Sequence, residues 1–244
     1  MLVSAPRRYR LRLVEGRMLS PSVRGLRFVS EGAPPDYRAG QSMDLFVPTR
    51  GGLVMRRPYS IASAPGYAGA RALDFAVTRV EGGPTSEALH ELTAGAVVES
   101  IGPNRGWLAR RDDERAVAAL LVATGSGLAP FRAVLQEELQ RREGPPIALL
   151  FGCRTQADIL WRDELERWAS EHPRFSSTVT LSRPDASWRG ASGWVQRHVL
   201  DIARAIDPGL VMLCGLSPMT DAVERLLVSA DVPASRIRVE TYDT

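Results

Sequence analysis

The sequence predicts two domains, an antiparallel six-stranded β-barrel followed by a doubly wound α/β domain with a parallel sheet. In the first half, short segments of alternating apolar and polar residues are separated by turn signals, as in small barrels. In the second half, continuous apolar strands alternate with helical segments, which is typical of a parallel sheet covered by helices. The 244 residues are enough for two small domains.

Six strands and one short helix are predicted in the first domain. Residues 9–18 and 23–29 alternate as half-buried strands do, and four more apolar segments follow. The predicted strands are 9–18, 23–29, 43–47, 59–61, 73–80 and 96–101. A helix is predicted over 85–92, with Thr85 or Ser86 as its N-cap.

The charged segment 110–115 lacks large apolar residues and is predicted to be the linker, so we place the domains at 1–112 and 113–244. Segment 118–123 is apolar throughout, as in a strand that is buried on both faces. Strands are predicted at 118–123, 147–151, 177–181, 210–214 and 237–242. Helices are predicted between them, at 131–141, 163–170, 195–205 and 220–229. This regular alternation predicts the doubly wound order.

Composition argues against several kinds of site. Two cysteines, Cys153 and Cys214, are fewer than an iron–sulfur cluster uses. The three histidines His90, His172 and His198 are scattered, so we predict no metal site and treat them as surface or capping residues. All 31 basic residues are arginine, which excludes a Schiff-base lysine and the lysine of a phosphate-binding P-loop.

Charge and hydropathy limit the partners and the location. The net charge is +3 with acids interleaved among the arginines, which argues against nucleic-acid binding and favours an acidic protein partner. No apolar run approaches the ~20 residues of a membrane span. Arg7, Arg8 and Arg10 interrupt the N-terminal segment where a signal peptide would be apolar, so we expect a cytoplasmic protein.

A glycine turn joins the first strand of the second domain to its helix. Thr124, Gly125 and Gly127 follow the apolar segment 118–123, and Pro130 comes near the start of the helix. Glycines let a ligand approach the backbone, and the free N–H groups at a helix start favour an anion. The pattern indicates a pyrophosphate site, although a plain strand-to-helix turn has the same local sequence.

Three more motifs accompany this turn. They are Arg57-Pro58-Tyr59-Ser60 in the barrel half, Cys214-Gly215 with Met219 after the fourth strand of the sheet, and Glu240 with Tyr242 near the end of the chain. Together with the turn they resemble the ferredoxin–NADP reductase superfamily, in family order and over essentially the whole sequence. The resemblance implies an oxidoreductase whose barrel binds FAD and whose α/β domain binds a pyridine nucleotide.

For the barrel, the resemblance implies that Arg57 holds the flavin pyrophosphate through a charge-assisted hydrogen bond. Pro58 belongs to the same flavin-binding motif. Tyr59 packs against the isoalloxazine ring and the ribityl chain, and Ser60 hydrogen-bonds near flavin N5, where hydride arrives.

A second pyrophosphate contact is implied by the resemblance at a helix start. Gly83, Thr85 and Ser86 are similar to the family's segment at this point, and N–H groups at the start of a helix attract phosphate. Ordinary N-capping explains the same residue types, and the two roles are compatible.

For the second domain, the resemblance places Cys214 beside nicotinamide C4, in a positioning role that needs no thiolate, with Gly215 and Met219 completing the motif. Tyr242 stacks on the flavin face that the nicotinamide must reach. Glu240 belongs to a hydrogen-bonded network around the hydride path. Asp243 and Thr244 follow Tyr242 in this sequence, which departs from the ending of the plant-type reductases.

The choice of nucleotide depends on the end of the third strand. Ser182 and Arg183 offer a hydroxyl and a guanidinium that can hold the 2′-phosphate of NADPH, as in NADP-using relatives. NADH-using relatives also have a basic residue before proline, followed by a pattern like that of residues 188–193. After this strand, the first acidic residue that could repel a phosphate is Asp185. We favour NADP(H) over NAD(H).

The leading hypothesis is a flavoenzyme that passes electrons from NADPH through FAD to a separate one-electron carrier, such as an acidic ferredoxin or flavodoxin-like protein. One alternative is an NADH-dependent reductase component of an oxygenase or another multicomponent complex. Another is a non-catalytic module that keeps the flavin and nucleotide sites without turnover.

Overall fold

The computed structural model describes residues 7–104, 106 and 108–242. Its described residues form two compact units. The first unit lies within Met1–Ala109 and Ala129–Glu137, and the second within Arg110–Leu128 and Glu138–Thr244. The helix that we assigned to the second domain therefore groups with the first unit. The predicted domain limits of 1–112 and 113–244 place this helix in the second domain, and they stay a prediction.

The first unit contains a six-stranded antiparallel sheet in the order β4-β3-β6-β1-β2-β5. Its strands are β1 Arg7–Met18, β2 Val23–Ser30, β3 Ser42–Pro48, β4 Val54–Ser60, β5 Ala72–Thr78 and β6 Val97–Gly102. The chain after β4 meets β5, because Ile61 bridges Phe75 and the N–H of Ala62 donates to the carbonyl of Asp74 at 2.7 Å. The two edges of the sheet therefore approach each other, and the predicted barrel is confirmed.

Alternating apolar side chains from these strands fill the barrel interior. Phe28 and Phe75 are almost fully buried and meet edge to face, with ring centroids 6.0 Å apart. Strand β4 is longer than the predicted segment 59–61, because the arginines and Pro58 conceal it in the sequence. Pro58 is tolerated there since β4 is an edge strand and needs no N–H on its open side.

Helix α1, Pro84–Glu91, begins one residue earlier than predicted. Its N-cap is Gly83 and no side chain caps it, so the assignment of Thr85 or Ser86 as the N-cap was wrong. Pro84 takes the first helical position because it lacks an N–H and its φ suits a helix. Thr85 and Ser86 therefore lie inside the first turn.

The second unit contains a six-stranded parallel sheet in the order β10-β9-β8-β7-β11-β12. Its strands are β7 Ala119–Thr124, β8 Ile147–Cys153, β9 Phe175–Leu181, β10 Ala191–Ser192, β11 Leu210–Gly215 and β12 Ile237–Thr241. Strands β8 to β10 lie on one side of β7, and β11 and β12 on the other. The strand order thus reverses beside β7, which confirms the doubly wound fold.

The remaining helices are α2 Leu128–Glu138, α3 Arg162–Glu171, α4 Val199–Ile206 and α5 Ser217–Ser229. Helix α2 starts before the predicted residue 131. Pro130 is tolerated in its first turn, because a backbone N–H at that point would have no partner within the helix. The segment predicted as one helix over 195–205 is a 3₁₀ turn, Val195–Arg197, followed by α4. None of the helices in the described part of the chain combines the length and the apolar character of a membrane span.

The segment predicted as a charged linker is partly buried. Arg110 Nη1 lies 3.1 Å from Glu138 Oε2, and these side chains are only 2% and 3% exposed. Arg110 also donates to the carbonyl oxygens of Glu114 and Val117, and a 3₁₀ turn follows at Asp113–Ala116. The prediction of a linker missed this burial, because the counter-ion Glu138 lies 28 positions further along the chain.

Candidate active site

The motif that resembles a flavin-binding motif, Arg57–Ser60, lies on the edge strand β4. Arg57 is exposed, and its Nη1 donates to the carbonyl of Arg56 at 3.0 Å. Pro58 is also exposed. Tyr59 is half-buried against the barrel core, and burial raises the pKa of its phenol to about 12, with the charge of Arg57 acting in the opposite direction. Ser60, the last residue of β4, is buried.

The start of α1 lies beside this strand. Thr85 Oγ1 is 3.7 Å from the sulfur of Met55, and Met55 and Arg57 project from the same face of β4 because their positions differ by two. A Cβ at Gly83 would lie 2.9 Å from Ser86 Oγ. That hydroxyl donates to the carbonyl of Gly83 at 3.0 Å, so it closes the turn before the helix. The first unit thus brings Arg57 and Tyr59 near an N-terminus that no side chain caps.

These residues fit the chemistry of FAD. A pyrophosphate needs a cation and N–H donors, which the exposed guanidinium of Arg57 and the start of α1 can supply. A flavin ring needs a flat, partly apolar neighbour, and the half-buried ring of Tyr59 is one.

In the second unit, the predicted glycine turn is a 3₁₀ turn, Gly125–Gly127, that follows Thr124 at the end of β7. Gly125 has a φ of +53°, is exposed, and has no described atom beyond its two chain neighbours within 4 Å of where its Cβ would be. A Cβ at Gly127 would lie 2.3 Å from the carbonyl oxygen of Cys214. Glycine at this position is therefore what lets the turn approach β11. Pro130, predicted with this motif, is buried in the first turn of α2.

The ends of β7 and β11 pack closely. A Cβ at Gly215 would lie 2.4 Å from Thr124 Oγ1 and 2.6 Å from Met219 Cε. Because these two strands are neighbours at the point where the strand order reverses, their carboxyl ends lie where doubly wound sheets bind ligands. The residues of two separate motifs therefore meet at one place.

Cys214, Glu240 and Tyr242 are also brought together. Cys214 is opposite Glu240 in the parallel pairing of β11 with β12, and the N–H of Tyr242 donates to the carbonyl of Gly215 at 2.9 Å. Burial raises the pKa of the Cys214 thiol well above its ordinary value, the Glu240 carboxylate raises it further, and a hydrogen bond with Tyr242 opposes both. The thiol is therefore neutral at physiological pH.

Two arginines come together where β8 and β9 end. The N–H of Ser182 donates to the carbonyl of Cys153 at 3.0 Å, and the N–H of Arg183 donates to that of Arg154 at 2.8 Å. The side chains of Arg154 and Arg183 are both exposed. Sequence reasoning noted that the segment 151–155 ends the neighbouring parallel strand but gave Arg154 no role, although it had to lie at the same edge.

Asp185 organises the loop after Arg183. Its carboxylate accepts from the N–H of Ser187 at 2.8 Å and from Gln156 Nε2 at 3.1 Å. Hydrogen bonds from Ser187 and Gln156 lower the pKa of Asp185, so it stays ionised. Arg189 in the same loop is exposed and donates to a backbone carbonyl at 2.8 Å.

The histidines lie apart from these sites. His90 Nε2 is 2.8 Å from the carbonyl oxygen of Val77, His172 ends α3, and His198 precedes α4. Within the described residues, no group of three or more His, Cys, Asp or Glu side chains is placed to hold a metal ion.

Comparison with known proteins matches both halves of the chain. The family described as "Oxidoreductase FAD-binding domain" matches residues 10–107, and the family described as "Oxidoreductase NAD-binding domain" matches residues 121–225. The chain is 42% identical over 243 residues to "Ferredoxin--NADP reductase B" of Sorangium cellulosum (strain So ce56), covering 96% of this chain and 98% of that protein.

More distant relatives are longer than this chain. It is 30% identical to "Phenol 2-monooxygenase, reductase component DmpP" of Pseudomonas sp. (strain CF600), over 93% of this chain and 63% of that protein. Among solved structures, cytochrome P450 reductase GcoB of Amycolatopsis superposes with a TM-score of 0.84 at 26% identity, covering 97% of this chain and 70% of that one. With its FAD-binding and NAD-binding oxidoreductase domains, the chain belongs to the ferredoxin–NADP reductase superfamily.

Proposed function

We propose that this oxidoreductase takes hydride from NADPH and passes the electrons singly, through FAD, to a separate acidic electron carrier such as ferredoxin or a flavodoxin-like protein. The observation that carries the proposal is the packing of Thr124, Gly127 and Gly215 at the reversal of strand order. It supports a dinucleotide at the carboxyl ends of β7 and β11. The Sorangium relative, which carries the name of this activity, covers nearly the whole chain.

Each part of the site has a binding task in this proposal. In the first unit, Arg57 and the start of α1 hold the pyrophosphate of FAD, and Tyr59 and Ser60 contact its ring. Bound FAD supplies the change from two-electron to one-electron transfer. In the second unit, the Gly125–Gly127 turn holds the nucleotide pyrophosphate, and Cys214, Glu240 and Tyr242 surround the nicotinamide.

Preference for NADPH is supported by the pair of exposed arginines. Arg154 and Arg183 follow neighbouring strands, so their guanidinium groups can share the 2′-phosphate, and Ser182 adds a hydroxyl. The nearby Asp185 carboxylate is held within its own loop by hydrogen bonds from Ser187 and Gln156.

A second candidate is an NADH-dependent reductase component of an oxygenase. It is supported by the name of the Pseudomonas relative, and the arginine before proline at residues 183 and 184 is compatible with it. The test compares kcat/KM for NADPH and NADH, with ferredoxin and with ferricyanide as acceptors. Higher kcat/KM for NADPH and reduction of ferredoxin support the proposal, whereas preference for NADH without ferredoxin reduction supports the second candidate.

A further inference from the structure

Two buried polar side chains of α2 contact the segment 61–64, which directly follows the Arg57–Ser60 motif. Arg132 Nη1 donates to the carbonyl of Ala62 at 2.7 Å, and Gln136 Oε1 accepts from the N–H of Ala64 at 2.8 Å. Arg132 is 6% exposed and Gln136 is 2% exposed. They lie four positions apart and so project from one face of the helix.

The opposite side of this segment is held by β5. The N–H of Ala62 donates to the carbonyl of Asp74 at 2.7 Å, and Ser63 Oγ accepts from the N–H of Asp74 at 3.0 Å. The Asp74 carboxylate receives Arg132 Nη1 at 3.2 Å and Arg27 Nε at 2.7 Å. Residues 61–64 are therefore fixed from two sides within the first unit.

This fixation has a direct consequence for Ser60, which is adjacent to Ile61. A shift of residues 61–64 moves the end of β4 with it, because the peptide bonds are rigid and the neighbouring backbone groups are already bonded. Transfer of hydride is sensitive to such shifts, since misplacement by about 1 Å can cost about 100-fold in rate. In the proposed function, affinity for FAD comes mainly from the pyrophosphate contacts of Arg57 and the start of α1 and from the ring of Tyr59.

We propose that Arg132 and Gln136 are positioning residues, which hold Ser60 in place for hydride transfer and contribute little to the affinity for FAD. The proposal rests on the proposed function. It also gives α2 two tasks, because this helix begins at Leu128, directly after the nucleotide turn, and carries the two side chains that hold the segment after Ser60.

The test uses the full chain loaded with FAD and the variants Arg132→Ala, Arg132→Lys and Gln136→Leu. We expect an FAD dissociation constant within about twofold of wild type for all three, because the pyrophosphate contacts are unchanged. The rate constant for flavin reduction by NADPH, measured by rapid anaerobic mixing, should fall about ten- to hundredfold in Arg132→Ala and Gln136→Leu. The visible flavin spectrum should also shift, and Arg132→Lys should restore part of the rate.

Glu138→Gln is the matched control. Glu138 lies on the same helix and is equally buried, but it pairs with Arg110 in the second unit. This variant should lower Tm and leave the spectrum and the rate constant unchanged. If Arg132→Ala does not fold, Gln136→Leu provides the same test, because it changes no charge.

Two failures can be told apart. If wild type is reduced by NADPH, while Gln136→Leu and the folded Arg132 variants lose only Tm and keep the wild-type rate constant, Arg132 and Gln136 only stabilise the fold and this proposal is wrong. If FAD-loaded wild type is reduced by neither NADPH nor NADH, the proposed function is wrong, and this proposal with it.

Discussion

Cys214 and Glu240 are direct neighbours in the parallel sheet, although 25 residues separate them along the chain, because β11 and β12 pair in that register. The carboxylate adds to the effect of burial in raising the pKa of the Cys214 thiol. A neutral thiol is a poor nucleophile, so we expect Cys214 to act through its shape and its hydrogen bond with Tyr242.

Replacing Tyr242 with Ser should tighten binding of the oxidised nucleotide, reduce discrimination between NADPH and NADH, and lower turnover. In the proposed function the aromatic ring competes with the nicotinamide for the flavin face, and stacking contributes about 1 kcal/mol beyond burial. Without that competitor, product leaves slowly and limits turnover. The measurement is NADP⁺ affinity by difference spectroscopy, together with kcat for both nucleotides.

The hydrogen bonds of Tyr242 to the end of β11 provide the competing explanation. If they hold the ring in place and it never stacks on flavin, the affinity for NADP⁺ in Tyr242→Ser stays at the wild-type value and only Tm changes. Tyr242→Phe separates these effects, because it keeps the ring and removes the hydroxyl that bonds Cys214.

Replacing Arg57 with Ala should weaken retention of FAD. Losing one charge-assisted contact to a phosphate costs about 2–3 kcal/mol, which is roughly a 30- to 150-fold rise in the dissociation constant. Arg56→Ala is the control, since Arg56 is the neighbouring residue on β4 but pairs with Asp44. Equal flavin occupancy in the Arg57 variant and in wild type after dialysis counts against the assignment.

Replacing Arg183 with Ala should raise KM for NADPH about ten- to hundredfold and leave KM for NADH nearly unchanged, because only NADPH has the 2′-phosphate. Arg204→Ala is the control, since Arg204 is an exposed arginine on α4 that pairs with Asp201. Steady-state kinetics with ferricyanide measures both constants. An equal response of the two nucleotides means that Arg183 supports the loop and does not contact the phosphate.

His90 should make folding stability fall in mild acid. Burial lowers the pKa of its ring below the ordinary value of 6.5, the charges of Arg79 and Arg24 act in the same direction, and the hydrogen bond to Val77 opposes them. The unfolded chain therefore takes up a proton at higher pH than the folded chain, and stability is lost as pH falls from 6.5 through the folded pKa.

The measurement for His90 is urea unfolding of wild type and His90→Gln from about pH 8 to about pH 5. Glutamine cannot take up a proton, so the stability difference between the two proteins should change in favour of the variant as pH falls. A difference that stays constant over this range contradicts the prediction.

The fold was predictable because its signals are local. Alternation in the barrel half and continuous apolar strands in the second half identified both sheets, and the motifs placed residues such as Gly127 at strand ends. Strand β4 was predicted too short because most of its residues, among them Arg56, Arg57 and Pro58, are exposed and give no apolar alternation. Such a strand forms through pairing with β3 rather than through its own composition.

Contacts between distant residues were not predictable. Arg132 and Ala62 are separated by 70 positions, and nothing in the helical pattern of α2 marks Arg132 as buried. In the sequence, Arg110 likewise has the character of a solvated linker residue, and only the fold brings Glu138 beside it. Burial of a charge depends on its partner, which sequence periodicity does not reveal.

The most direct measurement follows the visible absorbance of the FAD-loaded protein during anaerobic mixing, first with NADPH and then with an oxidised one-electron acceptor such as ferredoxin. The proposed function predicts that the absorbance is lost with NADPH and returns with the acceptor, and that NADH acts more slowly. Absorbance that persists in the presence of both nucleotides would contradict it.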